Sequence, residues 1–319
     1  MALTTLLDLA KRKVSDSEVG LIDETVKATP EVSGVNLLTG QQIDNLGAAK
    51  TIMNTVYKTR VRTGLPGVAF RDINSGTAYT KQTTENRIVE CQLMNPRWGA
   101  DKGMGGFSPA VAEELAENAE AHLAAAFQQI AKQYYYGQRT AQGGNAKGFP
   151  GLLDAVPDAF VVDATGTTAD TGSSVWLVTQ GRQDVRWVLG NDGRFEITPV
   201  DERDTTDTDG NPYTIFMQEM FAHVGLQVGS TQSLVRIKNL TEESGKGLTT
   251  ALLRQAFAKL INVGKRPTAI LMTQRSYDQY EAHLESLSIV PPEAGRAGFR
   301  NVPFVVTNSL LDTEPIDLA

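Results

Sequence analysis

The spacing of apolar and polar positions changes period along this chain, and each change marks an element. From Thr55 the period is two: Lys58, Arg60 and Arg62 alternate with Tyr57, Thr59 and Val61, the pattern of a strand with one wet face. A second strand is expected from Arg87 to Leu93. Between the two lie Gly64, Pro66 and Gly67, then INSG at 73–76, turn chemistry that permits a long two-stranded excursion. Such a ribbon has no core of its own and is marginal in water unless it leans on something else, a neighbouring subunit being one candidate.

At 109–136 the period becomes helical. Val111, Leu115, Ala119, Leu123, Phe127, Ile130 and Tyr134 recur every three or four residues and form one apolar stripe. Ser108 is placed to cap the helix, Pro109 suits its first position, and Gly137 stands just past its end. Glu113, Glu114 and Glu117 near the start and Lys132 near the end complement the helix dipole. At ~1.5 Å per residue the helix is about 42 Å long, enough to act as a beam.

Strands are expected downstream at SVWLV (174–178), at RFEIT (194–198) after a turn at Asn191-Asp192-Gly193, at TIFMQEMFAHVGLQV, and at SLVRIKNL. A helix after Gly247 carries Leu253, Ala256, Phe257, Leu260 and Ile261 on one side and ends at Gly264 and Pro267. The strand TAILM (268–272) follows. Thr273 then caps a helix bearing Tyr277, Tyr280 and Leu284, and VPFVV (302–306) is a last strand. Residues 1–50 mix a short amphipathic start (Leu3, Leu6, Leu7, Ala10) with polar, glycine-containing stretches and are expected to form an arm.

Composition narrows the classes. The chain's 319 residues, 41% hydrophobic and 21% charged, suffice for a real core and exclude a mainly disordered chain. With Cys91 alone no intrachain disulfide can form, which fits a reducing compartment such as the cytoplasm. No apolar run approaches the ~20 residues that span a bilayer, so a soluble chain with no membrane partner is expected. The N-terminal leucines precede the basic residues, the reverse of a secretory signal. Thirty Lys and Arg against thirty-seven Asp and Glu give a net charge of -7, which disfavours a nucleic-acid reader.

Candidate chemistry is sparse. A phosphate-cradling GxxxxGK[ST] loop is absent; SGKGLTT at 244–250 puts its glycine after the lysine. GADKGMGGF at 99–107 misses GxGxxG and suits a flexible joint before the long helix. His122, His223 and His283 have no partner at zinc-ligand spacing, and the first two are expected to be packed side chains. Cys91, between Glu90 and Gln92, has no basic cluster beside it and is expected to be a small buried side chain. Asp201, Glu202, Asp204, Asp207 and Asp209 form the sharpest acidic cluster. Aligned as a calcium loop on Gly210, it would put ligands at Thr205 and Phe216, so a solvated loop is expected there, with an irregular cation site as the minor alternative. No catalytic residue, cofactor or metal site is expected. An arm, a coreless ribbon and a beam suit an extended structural subunit.

The order of these segments resembles the major capsid proteins of tailed bacteriophages, podovirus-like members included, with an α+β Hong Kong 97-like capsid fold. The resemblance covers essentially the whole chain. Residues 1–50 resemble the family's N-terminal arm and 51–106 its E-loop β-hairpin. SPAVAEELAENAEAHLAAAFQQIAKQYYYG resembles its spine helix, within a peripheral-domain segment at 107–151. YYYGQ followed by GFPGLLDA is similar to the family's helix exit, and DGNPYTIF, GLQV, LVRIKNL and NVPFVVTNSLLDTE resemble further stretches. The implied division continues with 152–212 as the first part of an axial domain, 213–240 as peripheral-domain strands and 241–319 as the second axial part.

The resemblance implies self-assembly, through pentamers and hexamers, into an icosahedral shell that encloses double-stranded DNA, and no enzymatic reaction. Lys58, Arg60 and Arg62 on one ribbon strand, with Glu85 and Glu90 on the other, would make inter-subunit contacts. It further implies a separate scaffolding protein, a portal protein and a decoration protein as partners, and assembly in the bacterial host cytoplasm before residence in the virion. Relatives cross-link through E-loop lysines, for which Lys58 or Lys81 would be the counterpart, although no partner residue is identified by the sequence. The rivals are an encapsulin-like nanocompartment shell and, from a different class, a metal-dependent cytosolic hydrolase using the 201–209 acids.

Overall fold

The computed structural model describes residues 25–104, 109–287 and 297–316. A 17-residue strand organises one of its two large sheets, because TIFMQEMFAHVGLQV is apolar on both faces over most of its length. The strands preceding it are β1 (Ala49–Thr51), β2 (Val56–Gly64), β3 (Thr83–Glu90), β4 (Gln92–Met94), β5 (Arg97–Asp101), β6 (Val161–Asp163), β7 (Ser173–Val178), β8 (Val185–Leu189), β9 (Phe195–Ile197) and β10 (Asp201–Thr206). The long strand itself is β11 (Pro212–Val228). Along one edge of β11 lie β8, β9 and β10 end to end, and along the other β4 and β5, all antiparallel to it; β1 extends the sheet in parallel from β8.

The second sheet adds β12 (Leu234–Leu240), β13 (Ala269–Met272), β14 (Gly298–Phe299) and β15 (Val302–Val306), in the order β14-β15-β13-β7-β12-β6. Its strands are apolar runs because both faces are covered. Alternate residues diverge. Val175, Leu177, Ile270 and Met272 face one helical layer, while Trp176, Val178, Ala269 and Leu271 enter the core beneath the long helix.

Five helices complete the described chain: α1 (Pro30–Ser33), α2 (Pro109–Tyr136), α3 (Leu152–Ala155), α4 (Thr250–Asn262) and α5 (Gln274–Ser286). Thr249 and Thr273 cap α4 and α5 by accepting from the backbone N–H of Leu252 and Ser276, and the apolar stripes of both helices cover the second sheet. The stripe of α2 serves two cores in turn. Val111 and Leu115 pack with Trp98, Phe216 and Met220 of the first sheet, and Ile130, Tyr134, Tyr135 and Tyr136 pack between the sheets. Gly137 ends the helix at φ +57°, where a side chain would collide with Gly151 and Asp154. The expected cap at Ser108 lies outside the described residues.

Three features differ from the sequence expectations. The strand expected at 87–93 is two strands, starting earlier at Thr83 and broken at Cys91, because the chain there exchanges β2 for β11 as its partner. Asn191, Asp192 and Gly193 do form a left-handed turn, but the strands around it, β8 and β9, pair with β11 and not with each other. The acidic segment expected as a loop is largely a strand: Asp201–Thr206 pairs with Pro212–Met217 as an edge strand whose side chains are mostly exposed, so backbone pairing holds it without an apolar face. The chain crosses between the two sheets at 179–184, from β7 to β8, and at 229–233, from β11 to β12.

Candidate subunit interface

The ribbon β2–β3 stands as a two-stranded sheet of its own. Its register pairs Val56 with Glu90, Lys58 with Ile88, Arg60 with Asn86, Val61 with Glu85 and Arg62 with Thr84. Paired residues share a face. Lys58, Arg60, Arg62 and Glu90 therefore lie together on the exposed face, with Val56 and Ile88 between them, whereas Glu85 lies on the other face. Glu85 Oε1 accepts from Arg87 Nε at 3.0 Å, and Arg87 also donates to the Gly229 carbonyl at 3.3 Å, tethering the ribbon to the body. Arg60 Nε and Nη2 donate to Thr84 Oγ1 at 3.2 and 3.1 Å, which spreads its guanidinium across the outer face.

At the root, Val89 and Cys91 pack on Val188, with Tyr57 and Ile52 beside them. Lys50 Nζ sits 3.6 Å from the centre of the Tyr57 ring, and its hydrogen bond pulls the phenol below its ordinary value. Beyond the last ladder pair the chain carries Leu65, Val68, Phe70, Ile73 and Tyr79 in full contact with water; Val68 is 94% and Phe70 107% exposed. Sequence reading missed this tip as a site, since its apolar residues follow no period. Their signal was chemical: large apolar side chains inside a glycine- and proline-punctuated excursion with nothing of its own to cover them.

The arm is anchored on its own subunit. Glu31 in α1 is wholly buried, with Oε1 accepting from the Tyr135 hydroxyl at 2.7 Å and its backbone carbonyl from Trp187 Nε1 at 2.9 Å. Burial raises its carboxyl to about 7, opposed by hydrogen bonds from Thr307 and Tyr135. Asn36 Nδ2 donates to the Phe304 carbonyl at 2.9 Å, fastening the arm to β15.

The chemically reactive residue types are placed for packing. Cys91 is buried, with Sγ 3.7 Å from the Val188 carbonyl, and burial pushes its thiol up, away from a reactive thiolate. His122 stacks on Trp98 at 5.0 Å between ring centres, and partial desolvation lowers its value. His223 is a β11 residue opposite Leu93. Asp207 closes the β10–β11 turn by accepting from the backbone N–H of Asp209 and Asn211 at 2.9 and 2.8 Å, bonds that hold its carboxyl below the usual range. Among the described residues no three His, Cys, Asp or Glu side chains converge to hold a metal ion, and no helix is long and apolar enough to cross a membrane.

Comparison with solved structures places this fold. It aligns with a chain of bacteriophage Epsilon15 at TM-score 0.64 and 16% identity, covering 100% of this chain and 98% of that one, which establishes a Hong Kong 97-like fold. The bacteriophage JBD30 capsid aligns at TM-score 0.49 and 11% identity, covering 97% and 99% of the two chains. The SrpI encapsulin of Synechococcus elongatus aligns at 0.47 and 8%, covering 76% and 97%. No curated protein sequence matches the chain. The family model for major capsid protein GP7 matches residues 40–314, from the arm through the last buried acid, and the chain accordingly belongs to the major capsid protein GP7 family.

Proposed function

We propose that this chain builds the icosahedral head shell of a tailed double-stranded DNA phage by associating with copies of itself, with the ribbon as the element that reaches the neighbour. The carrying observation is the ribbon tip, where Leu65, Val68, Phe70, Ile73 and Tyr79 meet water on an element with no core of its own. Large apolar side chains left in water together on one excursion mark a place another molecule covers. The outer face, with Lys58, Arg60, Arg62 and Glu90, supplies charge contacts that set orientation, and Glu85 acts within its own subunit by holding Arg87. Every contact recurs around a closed symmetric shell, so each can be weak. The role is structural and involves no reaction.

In this reading α2 with the β11 sheet forms the peripheral domain, and the six-stranded sheet with α4 and α5 forms the axial domain. The chain works with a separate scaffolding protein, a portal and a decoration protein, assembles in the host cytoplasm, and lies close to packaged DNA without gripping it, as a net charge of -7 favours. The test is negative-stain microscopy with sedimentation of the chain expressed alone and with its neighbouring genes, for the natural sequence and for Val68→Ser/Phe70→Ser. Closed shells, or pentameric and hexameric rings that close when scaffold is added, are expected from the natural sequence and are lost in the variant. A persistent monomer or dimer in every setting would overturn the reading; shells from the variant would remove the tip from it.

A further inference from the structure

We infer that the acidic β10–β11 hairpin of one copy docks in a basic cleft at the end of α4 in a second copy, a contact that rests on the shell reading and adds to it a second meeting point between subunits. The cleft, about 440 Å³, opens where α4 ends beside the β14–β15 hairpin. Phe257 and Ile261 form its floor, Ile261 being 51% exposed, and Lys265, Arg266 and Arg300 stand around it. The closing carbonyls of α4, those of Leu260 and Ile261, accept from the backbone of Lys265 and Gly264, so the side-chain cations set the sign of the cleft. Lys265 Nζ is bound to Asp184. Arg266 Nη2 donates to the Arg300 carbonyl at 3.1 Å, and the Arg300 guanidinium lies 5.8 and 5.6 Å from the Phe257 and Phe299 ring centres. Both arginines are exposed, and among the described residues neither meets a carboxylate. Cations around an apolar floor select a carboxylate with apolar surface beside it.

The tip of the β10–β11 hairpin carries that combination. Its ladder runs out to Thr206–Pro212, whereas β5 leaves the other edge of β11 at Ile215–Asp101, so 204–214 stands beyond the sheet as a two-stranded finger. Acids nearer the body are matched by cations of their own subunit, Asp201 by Arg203 and Glu202 by Lys102. Those on the finger are not. Asp204 accepts from the Thr214 hydroxyl at 2.7 Å, Asp207 holds the turn, and among the described residues the Asp209 carboxylate has no cation beside it. Pro212, exposed, and Tyr213, half-buried, supply apolar surface next to them. A finger in a cleft is a heterologous contact, repeated head to tail, and it closes into a ring when the rotation between copies divides a full turn. Both patches belong to the packed sheets, so they meet only after the ribbon has oriented two copies, and they then fix register between them. A phosphate backbone would answer the arginines but leave Ile261 in water, and a net charge of -7 works against it.

For the test, Pro212→Cys and Ile261→Cys are made in separate chains, which are oxidised alone and after mixing and run on a non-reducing denaturing gel, with shells scored by microscopy on the same samples. The natural Cys91 is buried. A disulfide-linked dimer in the mixture and in neither chain alone, with peptides joining positions 212 and 261, is the expected result. Shells without that dimer would overturn the docking and leave the shell reading standing; the dimer without shells would do the reverse, and the absence of both would remove both. Charge reversal tests the same contact independently. Asp204→Arg/Asp209→Arg and Arg266→Glu/Arg300→Glu are each expected to lower shell yield at least about tenfold in subunits that melt like the natural one, and the chain carrying all four substitutions is expected to recover it. Undiminished yield from either pair, or no recovery with all four, would overturn the docking. Weaker retention of duplex DNA as the sole effect of Arg266→Glu/Arg300→Glu would assign the cleft to a phosphate backbone and overturn it as well.

Discussion

Glu31 and Glu314 are both shut away from water, yet their surroundings set them different tasks. Glu314 faces a cation: Arg236 Nη2 lies 3.3 Å from Oε2, Ser174 donates to the same oxygen, and the Tyr136 hydroxyl donates to Oε1 at 2.7 Å. Replacing one member of such a pair leaves the other charge buried and uncompensated. Arg236→Met is therefore expected to cost roughly 3–5 kcal/mol, against roughly 1–2 for Tyr136→Phe, read from urea midpoints of the unassembled subunit. Glu31 has the Tyr134 and Tyr135 phenols, Thr307 and Trp187 around it, and burial raises its carboxyl from the usual 4.5 to about 7. An acid raised on folding binds its proton more tightly in the folded state. Its favourable contribution is complete below about pH 4.5, is lost as pH rises between about 4.5 and 7, and leaves a constant cost of about 3 kcal/mol above that. Glu31→Gln should flatten this part of the stability profile and raise stability at pH 8. Parallel profiles for the two proteins across that window would disprove the assignment. Neither acid was legible as buried in the sequence, because each sits in a short polar stretch whose burial comes from distant partners, Tyr135 and Trp187 for one and Arg236 and Tyr136 for the other.

Among the elements, those that carry their own period were legible and those that borrow stability were not. Helix α2 runs from Pro109 to Tyr136 and exits through Gly137, as its apolar stripe and end residues imply, and the strands of the second sheet appear as apolar runs because both faces are buried. Strands β8 and β10 were missed. Both depend on the edges of β11, and β10 turns acids outward along its length, so no alternation of apolar residues announces it. The ribbon was legible in its stem, where Lys58, Arg60 and Arg62 alternate with half-buried residues, but its faces separate Glu85 from Glu90, which only the register reveals. The exit of α2 gives a direct test. Gly137 combines φ +57° with contact against Gly151, so Gly137→Ala meets both backbone strain and collision. A loss above ~1 kcal/mol is expected, seen as a fall in melting temperature. Gly264→Ala has the same backbone sign, φ +75°, but open space around it, and should cost less. Equal losses at the two sites would show that strain alone acts at Gly137.

For the whole molecule, the question is how copies of a chain with net charge -7 come together. Long-range repulsion between like-charged subunits slows encounter and is relieved by salt, with a screening length of ~10 Å at 0.1 M. The outer face of the ribbon opposes this trend locally, since Lys58, Arg60 and Arg62 project there with Glu90 as the acid opposite Val56. A basic face approaching an acidic neighbour accelerates encounter and is weakened by salt. The two effects have opposite salt dependence, which allows them to be separated. For the natural chain the two effects offset each other, so the rate of assembly followed by light scattering should respond only weakly to ionic strength. In Lys58→Ala/Arg60→Ala/Arg62→Ala, loss of three positive charges takes the net charge from -7 to -10 and leaves repulsion alone. That variant should assemble more slowly than the natural chain at low salt and speed up steeply as salt is added, a slope the natural chain lacks. These exposed substitutions should alter subunit stability by about 0.5 kcal/mol or less, so melting curves tell a failure of folding from a failure of encounter. If the variant keeps the natural chain's salt slope, the basic face does not meet the neighbour, and the apolar tip alone brings the subunits together.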